Sequence, residues 1–171
     1  MNSLMNLSRL RVLVATFALV FATGAAAELK VGEAPPDYVG ETLDGTPVLI
    51  SQHAGKAIVL SYWATWCKYC LDELPILHNI QQKVGAERIN VIAINTEDED
   101  TFRDAKRILK KLSLFHGFDP DRKGRDAYGV KGLPFMVVIG RDGKVVAIHR
   151  GYSKESLPGI VADINRAIAA E

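Results

Sequence analysis

The chain has 171 residues, enough for one domain with a substantial hydrophobic core and too few for two full domains. Hydrophobic residues make up 48% of the chain and charged residues 24%, values that are typical of a folded globular protein and exclude a disordered one. The formal net charge is +1, and the sequence has no Arg-rich stripe, so we expect no nucleic-acid partner.

Residues 1–27 have the pattern of a secretory signal peptide. Arg9 and Arg11 are their only charges, an apolar run follows over 12–22, and the segment ends in small residues with the A-x-A arrangement of a cleavage site. An uncleaved membrane anchor is the alternative, but the apolar run is shorter than the roughly 20 residues that a spanning helix needs. We therefore expect export and a mature domain over 28–171.

The rest of the chain predicts alternating strands and helices. An entry segment carries the hairpin turn Asp44-Gly45 between two short strands. Apolar runs predict further strands at 57–63, 89–94, 114–118, 134–139 and 144–149. Amphipathic spacing and end signals predict helices at 67–84, 100–112 and 153–170, the last with Ser153 as its N-cap, and a short helix or turn at 122–128.

The order of these elements indicates the fold class. Early alternation of strands and helices implies parallel strands joined by crossover helices, and the late hairpin adds an antiparallel part. We predict an α/β fold in which helices flank both faces of one mixed central β-sheet, with an N-terminal β-hairpin extension.

Cys67 and Cys70 are the only cysteines in the chain. An exported protein can keep a disulfide, but a loop this short contributes little stability, so the pair points to redox chemistry. The segment Trp63–Cys70 follows a predicted buried strand and opens a helix. Because a helix N-terminus stabilises a thiolate, we expect Cys67 to be the nucleophile and Cys70, one turn further on and more buried, to resolve the mixed disulfide.

A metal site is the competing interpretation of two closely spaced cysteines. Structural zinc needs four ligands, and the chain offers no further cysteine and four histidines without ligand spacing. A copper(I) site on the two thiolates with a soft Met or His ligand stays open. The leading interpretation requires no metal and no other cofactor.

Four motifs together carry a family resemblance. They are Trp66-Cys67-x-x-Cys70, Glu73 three residues after Cys70, Pro75 five residues after it, and Gly132-Leu133-Pro134. On these motifs the chain resembles the thioredoxin superfamily, and within it the exported TlpA/ResA-like reductases of the bacterial envelope, over residues 29–170. The resemblance implies a thioredoxin-like fold and a periplasmic location.

The same resemblance implies roles for individual residues. Pro134 would be cis and face the cysteines, and Leu133 before it would pair its backbone with a bound substrate. Trp66 would be a substrate-facing platform, and Pro75 would kink the active-site helix. Glu73 matches an acid that TlpA/ResA-like proteins keep beside the active site, and it would exchange protons with Cys70 through water.

Two positions depart from the cytosolic thioredoxins. Ser61 stands where those proteins carry a buried Asp, six residues before the first Cys. The pair Lys68-Tyr69 between the cysteines tunes the site, since the charge of Lys68 would further stabilise a thiolate. A tyrosine at the second position also occurs in disulfide isomerases, which keeps the direction of electron flow open.

The resulting hypothesis is a periplasmic dithiol reductase that passes electrons to protein disulfides, for example in cytochrome c maturation or another envelope pathway. A membrane electron donor of the DsbD/CcdA type would re-reduce it, and a monomer is expected. The alternatives are a disulfide oxidase or isomerase, which shares every motif, and a copper-binding thioredoxin-like chaperone. A peroxidase is disfavoured because Leu60 and Ala64 occupy its Pro and Thr positions. The acidic stretch 97–100 is interpreted as a solvated loop and helix cap.

Overall fold

The computed structural model describes residues 29–170, so the predicted signal peptide over 1–27 lies outside the described residues. Seven strands and four helices follow one another in this part of the chain. Their bounds are β1 Tyr38–Glu41, β2 Pro47–Leu49, β3 Ala57–Trp63, α1 Lys68–Val84, β4 Ile89–Asn95, α2 Glu99–Leu109, β5 Phe115–Phe118, α3 Lys123–Ala127, β6 Phe135–Ile139, β7 Val145–Arg150 and α4 Leu157–Ala169.

The strands form one mixed sheet in the order β2-β1-β5-β4-β3-β6-β7. β3 pairs in parallel with β4, and β4 with β5, through the crossover helices α1 and α2. The hairpin of β6 and β7 is antiparallel, and the N-terminal hairpin of β1 and β2 extends the other edge of the sheet. The predicted fold class is confirmed.

Strand β3 lies at the centre of the sheet, and all seven of its residues are buried. Because successive side chains alternate between faces, Val59 packs with residues of α1 and α4 on one side and Leu60 packs with Tyr128, after α3, on the other. Its continuously apolar sequence is therefore explained by helices on both faces. Within the described residues, no helix is long and apolar enough to span a membrane.

The start of α4 corrects one sequence prediction. Ser153 is not the N-cap, because the helix begins at Leu157 and Ser156 occupies the N-cap position. The two serines instead form a turn in which the backbone N–H of each donates to the side-chain hydroxyl of the other, at 3.1 and 3.2 Å. Pro158 lacks an N–H and fits only the first turn of a helix, which is where this start places it.

Substitution of Gly124 tests how tightly α3 packs against β1. A Cβ added to Gly124 would lie 2.4 Å from the carbonyl oxygen of Val39 and 2.9 Å from the hydroxyl of Tyr62. We expect Gly124→Ala to lower the free energy of unfolding by about 1–3 kcal/mol, because the backbone must shift to admit the methyl group. Urea unfolding of the oxidised protein measures this.

Gly159→Ala is the matched control, since Gly159 lies in α4 with open space around the added Cβ. It should leave stability unchanged or raise it by about 0.5–1 kcal/mol. Equal urea midpoints for the two variants would contradict the packing of α3 described above.

Candidate active site

Cys67 and Cys70 form a disulfide, with their Cα atoms 5.2 Å apart. Cys67 is the N-cap residue of α1, and its sulfur accepts a hydrogen bond from the backbone N–H of Cys70 at 3.2 Å. The free N–H groups and the positive end of the helix dipole therefore act on the sulfur of Cys67, and both favour a thiolate there once the disulfide is reduced. The sequence places both cysteines at the start of this helix, and their roles as nucleophile and resolving thiol stay predictions.

Exposure around the disulfide is uneven. Trp66 is 72% exposed and Tyr69 is 60% exposed, whereas Cys70 is 1% exposed and Cys67 5%. Trp63, at the end of β3, is buried in the core as its position suggests. Two aromatic side chains thus stand in solvent next to the sulfurs, on the surface that a protein substrate must approach.

The loop that leads from β3 into α1 is held by residues that follow β4. The carbonyl of Trp63 accepts hydrogen bonds from the backbone N–H and hydroxyl of Thr96, at 3.0 and 3.2 Å. The Glu97 carboxylate accepts from the backbone N–H of Thr65 at 2.6 Å and from its hydroxyl at 2.8 Å. The side chain of Asn95 donates to the same carboxylate at 3.1 Å.

Glu97 is a residue that sequence reasoning missed. Only Asp98, which caps α2 through Thr101, has the helix-capping role expected of the acidic stretch, while Glu97 is half-buried against the active-site loop. The order of the strands could have indicated this contact. β3 and β4 are parallel neighbours, so the loops that follow them meet at one edge of the sheet, and an acid just after β4 reaches the loop after β3.

Glu73 is buried in α1, with 1% of its surface exposed. Its Oε1 accepts a hydrogen bond from the Ser61 hydroxyl on β3 at 2.8 Å, and its Oε2 has no partner among the described residues. Burial raises the pKa of Glu73 from 4.5 to about 7, and the Ser61 hydrogen bond opposes part of this rise. An acid from the helix therefore occupies the space beside Ser61, the position where cytosolic thioredoxins carry their own buried acid.

The loop before β6 contains Leu133 and Pro134 and packs against the site. The peptide bond between Leu133 and Pro134 is cis, as the resemblance implies, and Pro134 is buried. Leu133 is half-buried and packs against the cluster that contains both cysteines. The Pro134 carbonyl accepts from the backbone N–H of Gly151 at 2.8 Å, which ties the loop to the end of β7.

Lys68 and Tyr69 are exposed and line a groove that runs along the first turns of α1. Pro75 lies inside α1, on its exposed side, and leaves the Leu71 carbonyl without its helical donor. The structure thus gathers the predicted residues near one end of the sheet, with Leu133 packed against the cluster that contains the cysteines, and places Pro75 within α1.

The chain can now be compared with known proteins. The Redoxin family model matches residues 30–168. The thiol-disulfide oxidoreductase ResA of Bacillus anthracis is 29% identical over 140 residues, which cover 80% of each chain. The thioredoxin-like protein YneN of Bacillus subtilis is 30% identical over 125 residues, covering 72% of this chain and 73% of YneN.

Solved structures give the same result. A Chlorobium tepidum protein assigned as thiol:disulfide interchange protein DsbE has 30% sequence identity and a TM-score of 0.72, covering 82% of this chain and 99% of that one. A Bacteroides thetaiotaomicron protein assigned as a protein disulfide isomerase has 26% identity and a TM-score of 0.70, covering 82% and 91% of the two chains. The chain therefore belongs to the Redoxin family and is a TlpA/ResA-like protein disulfide oxidoreductase of the thioredoxin superfamily, with Cys67–Cys70 as its redox-active disulfide.

Proposed function

We propose that this oxidoreductase is a dithiol reductase of protein disulfides that acts in the periplasm after removal of residues 1–27. The observation that carries the proposal is the pairing of an N-cap sulfur at Cys67 with a more buried sulfur at Cys70 and a buried acid at Glu73. In this proposal, attack, resolution and proton transfer belong to three different groups. The mature domain would comprise 28–171.

The cycle uses two electrons from the reduced cysteine pair. The Cys67 thiolate attacks one sulfur of the substrate disulfide, forming a mixed disulfide and releasing the first substrate thiolate, which takes up a proton. Cys70 then loses its thiol proton to the Glu73 carboxylate, directly or through water. The Cys70 thiolate attacks the Cys67 sulfur, and the second substrate thiolate leaves and takes up a proton, for which the protonated Glu73 is one source. The enzyme ends oxidised and the substrate ends as two thiols.

Substrate would be held between Trp66 and the cis-proline loop. The backbone N–H and C=O of Leu133 have no hydrogen-bond partner within residues 29–170, so they are available to an extended peptide. Trp66 offers a large exposed aromatic face next to Cys67. Lys68 and Tyr69 would tune the site from its exposed rim.

The names of the similar proteins support the thiol-disulfide chemistry of this proposal. ResA and the DsbE-type protein are named for thiol-disulfide exchange, and the same chemistry would serve cytochrome c maturation or another envelope pathway here. A membrane protein of the DsbD/CcdA type would return electrons to Cys67–Cys70.

We expect the domain to act as a monomer. Size-exclusion chromatography measures the oligomeric state.

The reduction potential of the cysteine pair separates this proposal from an oxidase or isomerase, the class suggested by Tyr69 and by the name of the Bacteroides thetaiotaomicron structure. Equilibration of the protein with defined thiol buffers should give a value at or below about −220 mV, on the glutaredoxin and thioredoxin side of the range. A value near about −120 mV would move the protein to the oxidase class.

Stoichiometric copper(I) binding to the two cysteines, without disulfide turnover, would instead favour a copper chaperone.

The two cysteines have distinguishable roles. Cys67→Ser should abolish insulin disulfide reduction, because no nucleophile remains at the helix terminus. Cys70→Ser should instead accumulate a mixed disulfide between Cys67 and the substrate, because the resolving thiol is missing. Mass spectrometry of the intact protein under non-reducing conditions detects the adduct, and an adduct on Cys67→Ser through Cys70 would reverse the assignment.

Glu73 should control the pH dependence of the resolving step. The carboxylate form accepts the proton of Cys70, so resolution in the wild-type protein should accelerate as the pH rises through about 7. Glu73→Gln should slow resolution and remove this inflection, as measured by decay of the mixed disulfide. Asp72→Asn, an exposed acid one residue earlier, is the matched control and should keep the wild-type profile.

The same pKa predicts the stability profile of the oxidised protein. A carboxyl group whose pKa is raised by folding contributes stability below its unfolded pKa of 4.5 and loses that contribution as the pH rises through about 7. Relative to Glu73→Gln, the wild-type protein should lose about 3 kcal/mol of unfolding free energy between pH 4.5 and 8. Parallel pH profiles for the two proteins in urea unfolding would show that Glu73 does not titrate in this range.

A further inference from the structure

A cavity of about 300 Å³ lies beside the cis-proline loop, and one of its lining residues, Leu133, also packs against the disulfide cluster. Two of its lining residues are basic, two are apolar and two are glycines. They are Lys131, Gly132, Leu133, Phe135, Arg150 and Gly151. None of them takes part in the cycle described above except Leu133, so the cavity has no role in the chemistry itself.

Arg150 is fixed in position over this cavity. Its guanidinium carbon lies 5.6 Å from the ring centre of Phe135, a cation–π geometry, and the two residues are register partners of β7 and β6. The next residue, Gly151, donates to the carbonyl of Pro134 at 2.8 Å. The guanidinium is therefore held at a defined place relative to the loop that would bind substrate.

The charge of the cavity is uncompensated. Lys131 and Arg150 are exposed, no acidic residue lines the cavity, and neither cation forms an ion pair with any residue in 29–170. The groove along the first turns of α1 differs, because it is lined by two cations and two acids, Lys68 and Lys154 with Asp72 and Glu155. Positive charge without a partner is thus concentrated on the proline side of the disulfide.

Leu133 connects this cavity to the cysteines. It packs against the cluster that contains Cys67 and Cys70 and also against the cluster that contains Phe135. A polypeptide that lies along the Leu133 backbone and presents a sulfur to Cys67 therefore has a neighbouring side chain over the mouth of the cavity.

We propose that this cavity is a specificity subsite for an acidic side chain of the substrate polypeptide, adjacent in sequence to the cysteine that Cys67 attacks. The inference rests on the proposed function, since it assumes that a protein disulfide binds along Leu133. The apolar floor accommodates the methylene groups of a glutamate, and the planar fork of Arg150 can bind its carboxylate through two parallel hydrogen bonds, with Lys131 as a second cation. The two-electron exchange itself is unchanged.

The experiment compares two peptides that each hold one intramolecular disulfide and differ only in Glu or Gln next to the reactive cysteine. The protein turns over on each peptide at low ionic strength with dithiothreitol as the electron donor, and the direct reaction of dithiothreitol with each peptide is subtracted as a blank. We expect kcat/KM to be about tenfold higher for the Glu peptide, mainly through a lower KM. Two exposed ion pairs, one with each cation, together increase affinity by about this factor. The preference should fall in 0.5 M salt as charges are screened (about 4 Å Debye length).

Charge reversal at Lys131 provides the decisive variant, because its side chain makes no hydrogen bond to any residue of the described chain. Lys131→Glu should lower or abolish the Glu/Gln ratio of kcat/KM, and Lys131→Arg should retain it. Arg150→Lys, which keeps the charge and loses the fork, should give an intermediate ratio. Lys83→Glu is the matched control, since Lys83 is an exposed lysine in the last turn of α1, far from the disulfide, and its ratio should equal that of the wild-type protein.

Hydroxyethyl disulfide, a small neutral substrate, separates the two levels of the proposal. If the wild-type protein reduces it and still shows no Glu preference, or if the preference survives Lys131→Glu, the subsite is wrong and the reductase assignment stands. If the reduced wild-type protein reduces neither hydroxyethyl disulfide nor either peptide, the proposed function itself fails. Because each ratio is taken within one protein, partial unfolding of a variant does not imitate a loss of preference.

Discussion

The N-terminus of α1 acts directly on the sulfur of Cys67, and the rest of the site is organised around this contact. The contact exists because β3, buried on both faces between β4 and β6, ends four residues before that cysteine. The chain must then turn from the sheet edge into a helix within a very short loop. Hydrogen bonds from Thr96 and to Glu97 hold that loop, so the parallel neighbour of β3 determines where the nucleophile stands.

Two acids near the disulfide illustrate how environment assigns roles to identical side chains. Glu97 accepts three hydrogen bonds and is committed to holding the loop. Glu73 accepts one hydrogen bond, from Ser61, while its second oxygen has no partner among the described residues, and its burial raises its pKa to about 7. A carboxyl group with an unpaired oxygen and a pKa near neutrality can exchange a proton, whereas one saturated with donors serves as a structural anchor.

Sequence reasoning was most accurate where local patterns and burial agree. The central strand, the active-site helix and the two hairpins were predicted within a few residues, because apolar runs and turn residues mark them directly. The predicted start of α4 was wrong because Ser153 has the chemistry of an N-cap, while Pro158, two residues before the first buried residue Ile160, decides where the helix can begin. Glu97 was missed because its partner Thr65 is 32 residues away in sequence.

The sequence by itself determined the order of the elements, the place of Cys67 at the start of a helix and the presence of an acid one turn beyond Cys70, since these follow from apolar patterns and short spacings along the chain. Only the tertiary structure decided what that acid touches, which loop holds the turn, and that Lys131 and Arg150 converge on one cavity. These outcomes depend on strand pairing and register, through which residues far apart in the chain become neighbours.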